Sequence, residues 1–370
     1  MSDSSIDYLT EYMKVYSERK KAEMNKTRRV IVFFSGAGFG DFIHQNVMAA
    51  ALTKPLHTSV LAVFKNHPPY REFIVECNPY IHAEIKAERD SDVTIPIDWF
   101  DIGVAAPIKC PDPIWKERQF GEPDLVLLPG MLRTDAARLS GLAEAPPLFR
   151  IPPEREEPLQ KNLEQRKIAP GKWFACLHLT KTAEIESQLQ MIRHITGKQG
   201  GRVVIIGKPE TAALTEMKGV IDLRQIPDSL PEQAAAISSA RYFIGGDSGP
   251  ATLASAFMSP CAVTNVRRFA DRVWNKGDVV LAKKIVETEE RELGTREAYE
   301  KGYLDNPLPE TMEYRDNTPD ELIAVADHMY ELTSGCDGWR PKADEIAAEK
   351  SAKLTFPFPM RDEPLVTFWE

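Results

Sequence analysis

The chain has 370 residues, of which 43% are hydrophobic and 27% are charged. This length exceeds one ordinary hydrophobic core and suits two domains with extensions. The net charge of −9, from 55 acidic and 46 basic residues, argues against a general nucleic-acid-binding protein. No apolar run approaches the roughly 18 residues that a membrane-spanning helix needs, so the sequence predicts no transmembrane segment.

The amino-terminal residues 1–25 are polar and charged and lack the apolar core of a secretory signal peptide. The expected location is therefore the cytoplasm, including peripheral association with the inner membrane. The five cysteines are scattered and form no CxxC pair, which indicates neither a zinc site nor a disulfide framework.

The first part of the chain begins with an extension, residues 1–27, in which apolar positions spaced three and four apart predict an amphipathic helix. The continuous β-branched and aromatic run 29–34 predicts a strand that is buried on both faces of a parallel sheet. A glycine-rich turn, 35–40, and a helical pattern over 41–52 follow it. Strand, turn and helix in this order open a Rossmann-like unit.

Further alternating elements complete a first lobe over residues 28–155. The patterns predict strands over 58–64 and 124–128 and a helix over 69–76, and loops on the acceptor side over 90–123. The prolines between 146 and 158 predict the linker to a second lobe.

The second lobe, residues 156–334, repeats the alternation. Strands are predicted over 173–179, 202–207, 220–223, 241–245 and 261–265, and helices over 184–198, 209–217, 231–239, 249–258, 287–300 and 320–333. The predicted fold class is α/β, with two Rossmann-like βαβ lobes whose parallel sheets face a central cleft. The tail, 335–370, holds Trp339, Phe356, Phe358 and Trp369, so we expect it to pack on the body or on another subunit of a homo-oligomer.

The segment Gly36–Asp41 resembles GxGxxG superficially but has Asp41 where the third glycine would stand. A carboxylate there would repel a pyrophosphate, which counts against dinucleotide binding. Gly38 and Gly40 would bring the backbone close to a ligand while Asp41 projects into the cleft. The alternative is that Asp41 caps the following helix. His44 lies on the same helical face and is either a partner of Asp41 or a structural histidine.

A second candidate is the run Ile244–Leu253, where a predicted strand leads through small residues into a helix that begins at Gly249-Pro250. The amides of a helix amino terminus, with the hydroxyls of Ser248 and Thr252 nearby, suit a diphosphate. Asp247 must then point away from the phosphates, as a cap or toward a sugar hydroxyl. The alternative is a tight turn with an ordinary helix cap.

The segment Gly40–His44 resembles the GDxxH motif of the bacterial lipopolysaccharide heptosyltransferases, glycosyltransferase family nine. The segment Asp247–Leu253 is similar to the D[ST]GxxHL motif of the same family, with Thr252 in place of histidine. Residues 241–330 also resemble uncharacterised bacterial proteins assigned as glycosyltransferases, through Thr264-Asn265 and the segment 317–322.

This resemblance implies a GT-B fold and an inverting glycosyltransferase that moves a hexosyl or heptosyl unit from a nucleoside diphosphate to a saccharide or glycolipid of the cell envelope, such as lipopolysaccharide. It makes Asp41 the general base for the acceptor hydroxyl, assigns Lys181 to the donor phosphates and assigns Glu210 to the donor ribose. Lys181 and Glu210 each have the alternative of an ordinary solvated residue. Lys208, close to Glu210 in the sequence, is a further candidate for contact with a phosphate. No DxD-type acidic pair follows a predicted strand, so we predict neither a metal nor a cofactor.

Two other functions remain open from the sequence. One is a nucleotide-sugar epimerase of the same fold, and the other is a non-catalytic binding protein with a glycosyltransferase fold, which the exchange at Thr252 would permit. His178, at the end of an apolar strand, is interpreted equally well as a core residue or as a donor contact. Arg267-Arg268 could approach a diphosphate or be solvated.

Overall fold

The computed structural model of the chain describes residues 28–34, 39–40, 43, 58–64, 71–77, 81–86, 125–127, 149–166, 168, 173–179, 185–207, 217–226, 229–267, 279–287, 291–304, 306–334 and 365–367. The chain forms two compact units, Met1–Arg150 and Ile151–Glu370. The predicted division between residues 155 and 156 falls inside a helix, Pro153–Gln165. Pro158, which was predicted to belong to the linker, lies inside the same helix. The predicted extension 1–27 lies outside the described residues.

In the first unit, the described strands β1 (Arg28–Phe34), β2 (Thr58–Phe64), β3 (Ile81–Lys86) and β4 (Leu125–Leu127) form a parallel sheet in the order β3-β2-β1-β4. The chain thus proceeds outward from β1 to β3 and then returns to the other side of β1. A short helix, α1 (Arg71–Glu76), buries Phe73 and Ile74. After β1, Ile43 is helical and fully buried, within the helix predicted over 41–52.

The second unit contains a larger sheet in which the described parallel strands follow the order β7-β6-β5-β8-β9-β10. Their bounds are β5 Phe174–His178, β6 Arg202–Ile206, β7 Val220–Asp222, β8 Tyr242–Gly246, β9 Cys261–Val266 and β10 Val279–Ala282. The chain fills one side of β5 with β6 and β7 and then places β8, β9 and β10 on its other side. The predicted alternation of strands and helices is therefore present here, with one reversal of strand order between β5 and β8.

Helices cover both faces of this sheet. On one face, α3 (Ile185–Gly197) and α7 (Pro319–Leu332) pack against each other and bury a cluster that includes Ala175, Leu177, Ile192 and Val325. Elsewhere in the unit, α4 (Leu230–Ser239) packs on α2 (Pro153–Gln165) and on α5 (Gly249–Ala256), which lies on β8 and β9. The strand residues between the cluster positions, such as Cys176 and Val204, are also fully buried, as expected for a covered parallel sheet.

Several elements differ from the prediction. The helix predicted over 287–300 is wrong for its first part, because β11 (Lys284–Glu287), β12 (Arg291–Leu293) and β13 (Met312–Arg315) form an antiparallel sheet and only α6 (Thr295–Glu300) is helical. The physical reason is that Ile285, Val286 and Leu293 are buried, although the residues around them are charged and the strands show no regular two-residue period in the sequence.

Part of the tail is placed by β14 (Leu365–Thr367), which pairs antiparallel with β10 at the edge of the large sheet. This segment therefore packs on the body of its own unit and covers a strand edge. The aromatic residues Trp339, Phe356, Phe358 and Trp369 lie outside the described residues.

Two asparagines join the end of β9 to the segment that starts α7. The amide N–H of Asn265 donates to Asn317 Oδ1 at 2.6 Å, and the amide N–H of Asn317 donates to Asn265 Oδ1 at 2.7 Å. Asn317 Nδ2 also donates to the carbonyl of Ala282 at 2.8 Å. Asn265 has a φ of 55°, a left-handed conformation that asparagine adopts more readily than most residues. The pair therefore fixes the carboxyl end of β9.

We expect Asn317→Ala to destabilise the second unit by about 3 kcal/mol, because it leaves the buried Asn265 N–H and the Ala282 carbonyl without their partner. Urea unfolding followed by circular dichroism measures this change. Asn306, whose side chain is exposed and bonds the Gly302 carbonyl, supplies the control Asn306→Ala, which should change stability by less than about 0.5 kcal/mol. Equal effects of the two variants would contradict a structural role for the asparagine pair.

A polar network joins α3 to α7. His194 Nε2 lies 2.7 Å from Asp327 Oδ1, Gln199 Nε2 donates to the same oxygen at 2.9 Å, and the Tyr242 hydroxyl donates to Gln199 Oε1 at 2.9 Å. Although burial opposes it, the hydrogen bonds from His194 and Gln199 lower the pKa of Asp327 below its ordinary value. A carboxyl whose pKa is lowered by folding stabilises the protein above its unfolded pKa and loses that contribution as pH falls through the folded value.

The free energy of unfolding of wild type should therefore exceed that of Asp327→Asn at neutral pH, and the difference should shrink as pH falls below the ordinary carboxyl value of 3.8. Urea titrations across this range measure it. Glu331→Gln, at the exposed end of the same helix, is the control and should retain the wild-type pH dependence. A difference that grows toward acid pH would contradict the assignment.

Candidate functional site

The reversal of strand order in the large sheet lies between β5 and β8. In open α/β sheets, ligands bind in the crevice beyond the carboxyl ends of the strands at such a reversal. His178 ends β5, and Asp247 and Ser248 follow β8 directly before α5 begins at Gly249. The topology thus places the second sequence motif at the position where this fold class holds its ligand.

The amino terminus of α5 lies at this edge of the sheet. Pro250 stands in the first turn, where its fixed φ suits a helix and its missing N–H costs nothing. Amides of a first helical turn have no partner within the helix, and the helix dipole makes this end positive. Ser248, the residue before the helix, is extended with a φ of −165°, and its side chain makes no capping hydrogen bond to these amides.

The Ser248 hydroxyl turns instead toward β5 and β8. Its Oγ lies 2.9 Å from His178 Nδ1 and donates to the carbonyl of Gly246 at 3.0 Å. Both residues are half-buried. The hydroxyl is therefore held at the strand ends, beside the amino terminus of α5, with one histidine as its neighbour.

The His178 ring occupies a slot that glycines on the two neighbouring strands leave open. A Cβ added to Gly207, which follows β6 with a φ of +117°, would lie 2.8 Å from His178 Cδ2. A Cβ added to Gly245, opposite His178 on β8, would lie 2.9 Å from His178 Cβ. Carbon atoms do not approach so closely, so a side chain at Gly207 would displace the imidazole, and one at Gly245 would clash with the His178 Cβ and the Phe243 ring.

Gly207 is held in turn by Gln233 of α4. The Gly207 N–H donates to Gln233 Oε1 at 2.9 Å, and Gln233 Nε2 lies 3.3 Å from the Gly207 carbonyl oxygen. Gln233 Nε2 also donates to Ser229 Oγ at 2.8 Å, and the Ser229 hydroxyl donates to the Leu223 carbonyl. One amide side chain thereby fixes both polar backbone groups of the glycine that shapes the histidine slot.

The neighbouring strand β9 borders the same edge. The Thr264 hydroxyl donates to the Gly245 carbonyl at 3.4 Å. Arg267, one residue past β9, is exposed, and its guanidinium lies 5.8 Å from the ring centre of Tyr314. The described part of this edge thus carries the hydroxyls of Ser248 and Thr264, the imidazole of His178, the guanidinium of Arg267 and the carboxylate of Asp247.

Four of the predicted donor-binding residues lie at this place. Asp247 is exposed, Ser248 and Gly249 are half-buried, and Thr252 is buried with its hydroxyl donated to the Ser248 carbonyl at 3.2 Å. Gly40, in the first unit, is half-buried and helical, so the turn predicted over 35–40 is wrong at residues 39–40. The remaining predicted residues lie outside the described residues: Gly38, Asp41, His44, Lys181, Lys208 and Glu210.

Three contributors to the site were not predicted from the sequence. The sequence did not decide whether His178 is a core residue or a contact of the donor. In the structure its ring lies beside Ser248 at the candidate site. Gly207 was identified only as a strand end, although a glycine after a buried strand is a signal of close packing. Gln233 lies in a helix without a motif, and no local pattern points to it.

None of the helices in the described part of the chain is long and apolar enough to span a bilayer. Among the described residues there is also no group of three or more His, Cys, Asp or Glu side chains arranged to hold a metal ion.

Comparison with known proteins finds similarity in structure rather than in sequence. No family model matches the chain, and no curated protein matches it. A glycosyltransferase of family 9 from Veillonella parvula superposes with a TM-score of 0.53 at 14% identity, over 82% of this chain and 97% of that protein. The E. coli ADP-heptose LPS heptosyltransferase II superposes with a TM-score of 0.51 at 11% identity, over 83% and 99%. At the level of fold, these likenesses confirm the α/β class of GT-B type and the predicted resemblance to family nine.

We expect Gly207→Ala to destabilise the second unit by about 2 kcal/mol, because the added methyl meets the His178 ring and the residue is held at a positive φ. Thermal and urea unfolding measure the change. Gly294 has no atom within 4 Å of an added Cβ, so Gly294→Ala is the matched control, with an expected change below about 0.5 kcal/mol. A Gly207→Ala protein as stable as the control would show that the slot around His178 is not tightly packed.

Proposed function

We propose that the protein is an inverting glycosyltransferase that moves a sugar from a nucleoside diphosphate to a saccharide or glycolipid acceptor. The observation that carries this proposal is the Ser248 hydroxyl, held 2.9 Å from His178 at the amino terminus of α5 and at the reversal of strand order. A partly enclosed hydroxyl beside first-turn amides is suited to the oxygens of a diphosphate. The likeness to two glycosyltransferase structures supports the same conclusion.

The chemistry required of this site is stabilisation of the departing nucleoside diphosphate. As the glycosidic bond to the donor breaks, negative charge develops on the diphosphate. Positive helix dipoles and preorganised donors aimed at this charge lower the barrier. In this proposal Ser248 and the first turn of α5 supply the donors, Lys181 and Lys208 add cations, Glu210 binds the donor ribose, and neither a metal nor a cofactor takes part.

We assign activation of the acceptor to Asp41. The strand order of the first sheet reverses at β1, and Asp41 comes shortly after the end of that strand in the sequence. The end of a strand at such a reversal is again the ligand-binding position of an open sheet. A carboxylate there can take the proton of an acceptor hydroxyl as its oxygen attacks the anomeric carbon. In this proposal Gly38 and Gly40 let the backbone approach the ligand, and His44 follows Asp41 by three residues in the sequence.

The E. coli structural neighbour is an ADP-heptose LPS heptosyltransferase by name. We infer that the acceptor here belongs to the same broad class, a saccharide or glycolipid of the bacterial cell envelope, and that transfer takes place at the cytoplasmic side of the inner membrane. The exchange of histidine for Thr252 in the motif, with its hydroxyl bonded to the Ser248 carbonyl, points to a donor sugar other than heptose.

The direct test is thermal stability of the purified protein against a panel of nucleoside-diphosphate sugars and the free diphosphates. A ligand that binds the folded protein at 100 times its dissociation constant stabilises it by about 2.7 kcal/mol, so the true donor should raise the melting temperature by several degrees. Incubation of that donor with and without saccharide acceptors then separates transfer from epimerisation, since an epimerase converts the donor alone. A panel without any stabilising member would contradict the proposal.

Asp41→Asn should reduce transfer by at least about a thousandfold while leaving donor affinity within about threefold, because the residue acts on the acceptor. Single-turnover assays with the identified donor and calorimetric titration with the free diphosphate measure the two quantities. Ser248→Ala is the reciprocal control and should weaken binding of the diphosphate by about tenfold. Wild-type turnover in Asp41→Asn would show that another group is the base.

A further inference from the structure

The contact between His178 and Ser248 carries a second conclusion, which rests on the proposed function. A serine hydroxyl has one proton to donate and can accept two hydrogen bonds. Ser248 Oγ donates its proton to the Gly246 carbonyl at 3.0 Å. With that hydroxyl proton engaged by Gly246, the 2.9 Å contact with His178 Nδ1 is a hydrogen bond only in the tautomer in which Nδ1 carries a proton.

The other tautomer of His178, with Nδ1 unprotonated, would be unfavourable for diphosphate binding. If Nδ1 were unprotonated, it would take the single hydroxyl proton of Ser248. The hydroxyl would then present only lone pairs to a phosphate oxygen, which also presents lone pairs. With Nδ1 protonated, the same hydroxyl stays anchored as an acceptor, and its proton is free to swing from the Gly246 carbonyl to an incoming phosphate oxygen.

We propose that His178 is a positioning residue of the donor site, and that its Nδ1–H group holds Ser248 as a hydrogen-bond donor to the diphosphate. The surrounding residues fix the ring for this task. Gly245 and Gly207 leave the slot in which the imidazole lies, and Gln233 holds Gly207 through both of its backbone groups. The role of His178 is thus exerted through Ser248 and needs no contact with the substrate.

Asparagine and glutamine at position 178 separate this role from simple packing. The Nδ2 group of asparagine lies near the place of the histidine Nδ1 and can donate the same hydrogen bond. Glutamine is closer to imidazole in size, but its amide lies one bond further along the side chain. His178→Asn should therefore keep nearly the wild-type affinity for the diphosphate despite its smaller side chain, whereas His178→Gln should bind the diphosphate more weakly.

The experiment measures the dissociation constant of ADP for wild type, His178→Gln, His178→Asn, Ser248→Ala and the double variant His178→Gln/Ser248→Ala, each checked for folding by its melting temperature. GDP and UDP are the further probes. We expect His178→Gln and Ser248→Ala to weaken binding by about tenfold each, the double variant to be no weaker than the poorer single variant, and His178→Asn to stay within about threefold of wild type. Wild-type affinity in His178→Gln, or multiplied losses in the double variant, would overturn the proposal.

A measurement without ligand keeps the inference separate from the proposed function. Nitrogen NMR of histidine-labelled protein, with the His178 signals assigned by their loss in His178→Asn, reports which ring nitrogen is protonated. A protonated Nδ1 is the expected result, and an unprotonated Nδ1 would overturn the inference even if ADP binds. If no nucleoside diphosphate binds wild type, the proposed glycosyltransferase function fails, and a protonated Nδ1 would then support only the hydrogen-bond geometry on which the positioning role is built.

Discussion

The arrangement of the second unit depends on one topological constraint, the reversal of strand order between β5 and β8. Since helices must cover both faces of a parallel sheet, the connections on the two sides of a reversal diverge, and a gap opens between them at the carboxyl ends of the strands. At this position a histidine ends one strand and a serine follows the other. The glycines beside them are needed because the histidine fills the space that their side chains would occupy.

The hydrogen bonds of Ser248 then determine which ligand this position suits. The serine is held by a ring nitrogen and a strand carbonyl rather than by the helix it precedes, so the positive end of α5 is not neutralised by its hydroxyl. Hydrogen bonds further from Ser248 hold the neighbouring backbone: the side-chain amide of Gln233 binds Gly207, and the pair of Asn265 and Asn317 fixes the end of β9. A hydroxyl held in this way suits the charged leaving group of the proposed reaction, because a preorganised donor does not have to reorganise as charge develops.

Much of this fold was predictable from periodicity. The strand predicted over 58–64 has those bounds in the structure, and the helix predicted over 320–333 covers Pro319–Leu332, where Thr318 and Glu321 form a capping box. These elements have strong local signals. The small antiparallel sheet was missed because β11 and β12 are short, lie among charged residues and show no regular alternation of buried and exposed positions. The second motif could be located from small residues after a strand, but its partner could not, because His178 and Ser248 are brought together by strand order, which the sequence does not state. The reciprocal hydrogen bonds between Asn265 and Asn317 likewise join residues that are far apart in the sequence, so no local pattern predicts them.

The central claim is that this strand reversal binds a nucleoside diphosphate. Hydrogen–deuterium exchange of the whole protein, with and without a saturating diphosphate, tests it most directly, since amides that gain an acceptor or lose access to water exchange more slowly. The account predicts slower exchange in peptides that cover residues 245–252 and the end of β5 around His178. Unchanged exchange in these peptides, together with slower exchange elsewhere in the chain, would contradict it.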